Sequence, residues 1–144
     1  MTRIQHVNLM VDDLDRATDF YRDVIGLAPT TTPDLGFPAQ FFSIGEDQEL
    51  HVNRLDDVRP VRAHFCLRVD DFDGVVERAD AAGAIDATTW GAARRLPSGA
   101  MQLFVRDPAG NLIEISADPD QPVATDFFDR PYAEPAADGT QEAS

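Results

Sequence analysis

The sequence predicts an α+β fold built from two βαβββ modules in tandem, and three observations carry that prediction. A ten-residue segment recurs; apolar spacing changes from alternating to helical after each copy; and hairpin-turn residues separate the short strands that follow. The repeat is HVNLMVDDLD from His6 to Asp15, which aligns without gaps on HFCLRVDDFD from His64 to Asp73 with six of ten positions identical. A duplicated unit at that spacing sets module 1 at about 3–58 and module 2 at about 61–117.

Each copy opens as a strand, because polar and apolar residues alternate, and then turns helical at an Asp-Asp pair. The first helix carries Leu14, Ala17, Phe20, Tyr21 and Val24 on one stripe and stops at Gly26. The second repeats the pattern with Phe72, Val75, Val76, Ala79 and Ala82, stopping at Gly83. Aspartates before each helix can accept hydrogen bonds from its unpaired N–H groups. Irregular stretches rich in turn residues follow, Thr30–Pro38 and Thr88–Gly99. Two short strands then complete each copy: Ala39–Ile44 and Glu49–Asn53, Met101–Arg106 and Leu112–Ser116. Their connectors contain the Gly, Asp and Pro that hairpin turns require. Residues 119–144, with scattered proline and acid, read as a loose tail following one domain of 1–118, in which Phe127, Phe128 and Tyr132 break the pattern.

Strand alternation divides each strand into two faces. Val7, Leu9 and Val11 oppose His6, Asn8 and Met10, and Phe65, Leu67 and Val69 oppose His64, Cys66 and Arg68. On the closing strands Leu50 and Val52 oppose Glu49, His51 and Asn53, whereas Ile113 and Ile115 oppose Leu112, Glu114 and Ser116. The apolar set belongs under the helices, which leaves all three histidines on polar faces. His6 and His64 hold the same place in the two copies, and His51 and Glu114 hold equivalent places on the closing strands. Should the sheets curl together, four metal-competent side chains meet. Neutral imidazoles and one carboxylate suit a borderline divalent cation and leave positions open for substrate, which is the form of a catalytic site. A lone cysteine offers no structural zinc cluster and excludes an intramolecular disulfide framework.

A net charge of −14 repels phosphate backbones and anionic membrane surfaces, so nucleic acid and membrane are excluded as partners. The N-terminus lacks the apolar stretch of a signal peptide, which places the expectation in the cytoplasm. Cys66 reads as a small buried filler.

Four segments together carry a family resemblance: HVNLMVDDLDRATDFYRDVIGL from His6, ELHV from Glu49, HFCLRVDD from His64 and FVRDPAGNLIEI from Phe104. The chain resembles the vicinal oxygen chelate superfamily of glyoxalase I, bleomycin-resistance and extradiol dioxygenase-type proteins. The resemblance implies a cupped, mostly antiparallel sheet made by paired modules. It also implies one divalent metal ion (Zn, Ni, Co, Mn or Fe(II)) on His6, His64 and Glu114, with His51 standing where glyoxalase I-like members carry a glutamate. Homodimers are common in such a family, some sharing each site between chains.

The chemistry implied is bidentate chelation of a small oxygenated substrate, with lyase or isomerase reactions favoured over ring-cleaving dioxygenation. Glu114 and Glu49 are the catalytic candidates, Glu49 as a base on the His51 face. Arg94 and Arg95 offer guanidinium forks to an anionic substrate group, and Asn8 and Phe104 complete the substrate-contact set. Two alternatives stand beside this reading: a metal-free binder of the bleomycin-resistance type, and a fosfomycin-type thiol transferase. The second lacks its lysine here.

Overall fold

The computed structural model describes residues 3–135. Module 1 runs β1 (His6–Val11), α1 (Leu14–Asp19), a π-helical turn (Phe20–Ile25), β2 (Ala28–Thr30), β3 (Ala39–Ile44) and β4 (Gln48–Arg54). Module 2 runs β5 (His64–Arg68), α2 (Phe72–Ala81), β6 (Arg94–Arg95), β7 (Met101–Arg106) and β8 (Leu112–Ala117). Each module is a four-stranded mixed sheet, ordered β1-β4-β3-β2 and β5-β8-β7-β6. The first strand lies parallel to the last, and the other pairs are antiparallel. This is the α+β architecture of paired βαβββ modules.

The helix starts follow from chemistry visible in the repeat. Asp13 accepts the Arg16 N–H at 3.0 Å, and Asp71 accepts the Gly74 N–H at 3.0 Å, each satisfying one donor of a first turn. Gly26 takes φ 90° and ends the first helical segment. Between these points the π turn was not expected. Closing bonds from i to i+5 brings Ile25 onto the face of Phe20 and Tyr21, so Ile25 is buried while Val24 is only partly covered. In α2, Phe72, Val75, Val76 and Ala79 are buried, but Ala82 lies just past the helix end and is exposed.

One apolar cluster joins both modules, running from Val11, Tyr21, Phe42 and Leu50 to Phe72, Val76, Leu103 and Ile115. The Tyr21 hydroxyl crosses between modules to donate to Asp107 Oδ2 at 2.8 Å, and Arg78 Nε donates to the Val24 carbonyl at 2.9 Å.

The segment after β8 departs from the loose tail expected over 119–144. Through Pro135 it is packed on module 2. Phe127 is fully buried against Phe72, ring centroids 5.7 Å apart, and Gln121 bonds both the Phe72 N–H and the Val69 carbonyl. Ala93 donates to the Tyr132 carbonyl and accepts from the Glu134 N–H, each at 2.8 Å, so the segment adds a bridge beside β6. The cause is that three aromatics outweigh the disorder-promoting prolines around them. The rest of the expected tail, 136–144, lies outside the described residues. Among the described residues no helix is long and apolar enough to cross a membrane.

Candidate functional site

Strand register places His51 and Glu114 in equivalent positions. In sheet 1, His6 lies beside Glu49 and Asn8 beside His51; in sheet 2, His64 lies beside Leu112 and Cys66 beside Glu114. Both residues therefore sit across from the position two beyond the first-strand histidine, on the face turned from the helices.

The structure brings the expected donors together in two groups rather than one. On sheet 2, His64 Nε2 lies 3.2 Å from Glu114 Oε2. On sheet 1, His51 Nε2 lies 3.0 Å from Glu49 Oε2, and the His6 and His51 rings stack with centroids 4.3 Å apart and planes 10° from parallel. Among the described residues, no three His, Cys, Asp or Glu side chains gather tightly enough to hold one ion. The expected meeting of four donors, which the sequence left open to one chain or to two, is not displayed within the single chain. The reason lies in the shared core. Both site faces are turned away from the cluster that joins the modules, while β1 and β5 remain the open edges of their sheets. His6 and His64 nonetheless border one cavity of about 420 Å³ between those edges, with Glu49 and Cys66.

The His64–Glu114 pair fits a cation. Nδ1 of His64 points at the Arg62 carbonyl, 3.4 Å away, and a carbonyl only accepts, so the neutral tautomer with its hydrogen on Nδ1 leaves the Nε2 lone pair for a ligand. That lone pair meets a carboxylate oxygen. A proton or a bound cation can stand between the two, and metal bonds of ~2.0–2.2 Å at roughly tetrahedral to right angles set neighbouring ligand atoms about 3.0–3.4 Å apart. His6 is prepared in the same way: Gln5 Oε1 lies 2.6 Å from Nδ1, leaving Nε2 as the free donor atom. His51 is not. Its ring is held face to face with Phe41 at 3.6 Å, and a metal lies near the plane of each imidazole it binds, a point that the parallel rings of His6 and His51 cannot share.

The substrate candidates separate. Asn8 borders a cavity of about 480 Å³ between β1 and β5, lined mostly by apolar side chains and by His64. Phe104 is buried with its ring edge-on to His64, centroids 5.1 Å apart, and so forms the floor beneath that imidazole. Arg94 and Arg95 face opposite ways. Arg95 binds the Gly99 carbonyl and closes its own hairpin, whereas Arg94 Nε donates to Gln102 Oε1 at 3.2 Å.

Two neighbours of the site were not foreseen. Gln102 Nε2 donates to Glu114 Oε1 at 2.8 Å, and Trp90 sets its edge toward His64 at 5.8 Å while donating to the Arg62 carbonyl. The only tryptophan in an irregular stretch beside a repeat was the available signal for the latter. Cys66 corrects its expectation as well. It is exposed, and its thiol is pushed up to about 11 by partial burial of the sulfur and by the Glu114 carboxylate, against Arg68.

Comparison with known proteins bears on the fold and the family. Metapyrocatechase 2 of Cupriavidus necator is 29% identical over 143 residues, covering 99% of this chain and 42% of that protein. This chain thus spans less than half the length of that relative. Virulence protein STM3117 of Salmonella typhimurium is 27% identical over 134 residues, 79% of this chain and 83% of the relative. Its crystal structure superposes with a TM-score of 0.61, covering 82% of this chain and 98% of that one at 26% identity. The crystal structure of lactoylglutathione lyase from Agrobacterium tumefaciens gives a TM-score of 0.60 at 30% identity, over 81% of this chain and 94% of that one. The family model described as Glyoxalase/Bleomycin resistance protein/Dioxygenase superfamily matches residues 3–115, a span that takes in both modules and every donor above. The chain belongs to that superfamily.

Proposed function

We propose that the protein is a divalent-metal-dependent enzyme that acts on a small oxygenated metabolite through two neighbouring oxygens, with lyase or isomerase chemistry favoured. The observation that carries this reading is the placement of His64 Nε2 3.2 Å from Glu114 Oε2, the spacing of two neighbouring ligands of one ion. A bound divalent ion would polarise the substrate oxygens and stabilise charge that develops on them. The ligand set is His6, His64 and Glu114.

The chain's own groups supply the rest. Glu49 lies directly across from His6 in the strand register, accompanies that imidazole to the centre and is the group placed to take a proton from substrate carbon. His51 Nε2 lies 3.0 Å from Glu49 Oε2 and holds that carboxylate in place. Phe104 and Trp90 flank His64 edge-on and fix where its ring sits. The similarity to a lyase and to a metapyrocatechase keeps ring-cleaving oxygenation as the second outcome, which Fe(II) as the native metal would favour.

A homodimer brings the two groups together, with His6 of one copy reaching the His64–Glu114 pair of the other. Supporting this are the open edges of β1 and β5 and the exposed Ile4 and Met10 along the β1 edge. A cytoplasmic location belongs to the same proposal. The test is metal analysis of protein purified without a polyhistidine tag, beside the His64→Ala variant. About one ion per chain, lost in the variant, supports the enzyme; a metal-free protein that still binds small molecules would make it a sequestering relative.

A further inference from the structure

Glu114 has two carboxylate oxygens, and they have different neighbours. Oε2 faces His64, while Oε1 accepts from Gln102 Nε2 at 2.8 Å. The amide of Gln102 could in principle be turned either way, but Arg94 decides it. A guanidinium has only donors, so Arg94 Nε at 3.2 Å requires Gln102 to present Oε1 on that side and Nε2 on the other. The register makes this possible, because Arg94 and Gln102 lie directly opposite each other on β6 and β7. Beyond Arg94 stands Glu134 of the C-terminal segment, 3.8 Å from Nη1, and its backbone N–H is bonded to Ala93 next door.

We propose that Gln102 and Arg94 are positioning residues that hold Glu114 to one-oxygen ligation, forming a relay from the C-terminal segment to the metal centre. The inference rests on the metal-site reading above and adds residues which that reading does not use. Occupying Oε1 leaves Oε2 as the oxygen turned to His64 and prevents the carboxylate from rotating to offer both. Such outer contacts are worth about 10–100-fold in metal affinity. Neither side chain needs to touch substrate. Both are only partly buried, and neither belongs to the apolar cluster that joins the modules.

Cobalt(II) is the probe, titrated into the metal-free full chain and followed by its visible absorption, with thermal melts run in parallel. Wild type is expected to bind with a defined band. Gln102→Leu and Arg94→Met should each bind about 10–100-fold more weakly and with a shifted band, at unchanged melting temperature. Arg94→Lys, which keeps a donor, should recover most of the affinity and the wild-type spectrum. Wild-type affinity and spectrum in both Gln102→Leu and Arg94→Met would overturn the relay while leaving the metal site standing. Absence of any cobalt binding by wild type would overturn the metal site, and the relay with it. If Gln102→Leu fails to fold, the Arg94→Met and Arg94→Lys pair decides alone: equal affinity in the two refutes the relay.

Discussion

The imidazole of His51 lies flat on the ring of Phe41, planes 2° from parallel, and its Nε2 is engaged by Glu49. A ring so held has one face and one nitrogen committed before any ion arrives. His51→Ala is therefore expected to keep metal content within about tenfold of wild-type affinity, whereas His64→Ala, which removes a donor atom, should abolish it. Equal loss in both would restore His51 to the ligand set.

If each centre draws on two copies, defective chains should repair each other. Co-expressed His6→Ala and His64→Ala chains would form mixed dimers carrying one intact and one doubly defective centre, so random assortment returns roughly a quarter of the wild-type sites. Either variant alone should hold none. No recovery in a mixture shown to contain mixed dimers would confine the centre to a single chain.

Loss of the Tyr21 hydroxyl should weaken the junction between modules. Tyr21→Phe leaves the buried Asp107 without one of its donors, and a bond to a charged acceptor contributes about 1.5–3 kcal/mol. Urea unfolding measures this directly, and a change below about 0.5 kcal/mol would show that Asp107 is satisfied by its own turn.

Acid should attack the fold at Asp86. Burial raises its pKa, but the Thr89 N–H and hydroxyl, the Thr88 N–H and Arg106 outweigh burial and hold the carboxyl far below the usual range. A carboxyl lowered by folding stabilises the protein above its unfolded pKa of about 4, and that stabilisation is lost as pH falls toward the folded value. Wild type should lose stability below about pH 4, while Asp86→Ala should be less stable at pH 7 and show a flatter acid limb. Parallel curves for the two proteins would remove Asp86 as the cause.

Cys66 should be slow toward electrophiles despite its exposure. With the thiol at about 11, the reactive thiolate at pH 8 is about a hundredfold scarcer than for an ordinary cysteine. Iodoacetamide kinetics should show this lag, with Glu114→Gln reacting faster because a repelling charge is gone. A rate equal to that of a free thiol would contradict the assignment.

The modules and their strand faces were legible because each depends on local periodicity, which duplication displays twice. β2 and β6 were not, since three residues and two residues acquire strand geometry only by pairing with β3 and β7. The π turn escaped for a related reason: helical spacing was read at 3.6 residues, and Ile25 lies one place off that stripe. Gln102 was passed over because a neutral amide is no metal ligand, and its role comes from what stands across the strand, not from its neighbours in sequence. The division of the donors into two groups follows from how the modules pack, which no segment of the chain encodes alone.

The family model's match ends at residue 115, yet Phe127 fills the space beside Phe72 and Gln121 ties off the start of α2. Shortening the gene to the recognised region would open a hole the size of a benzene ring and strand two backbone partners. Anyone trimming this protein for expression or fusion should cut no earlier than Pro135, for the unit that folds is longer than the unit that is recognised.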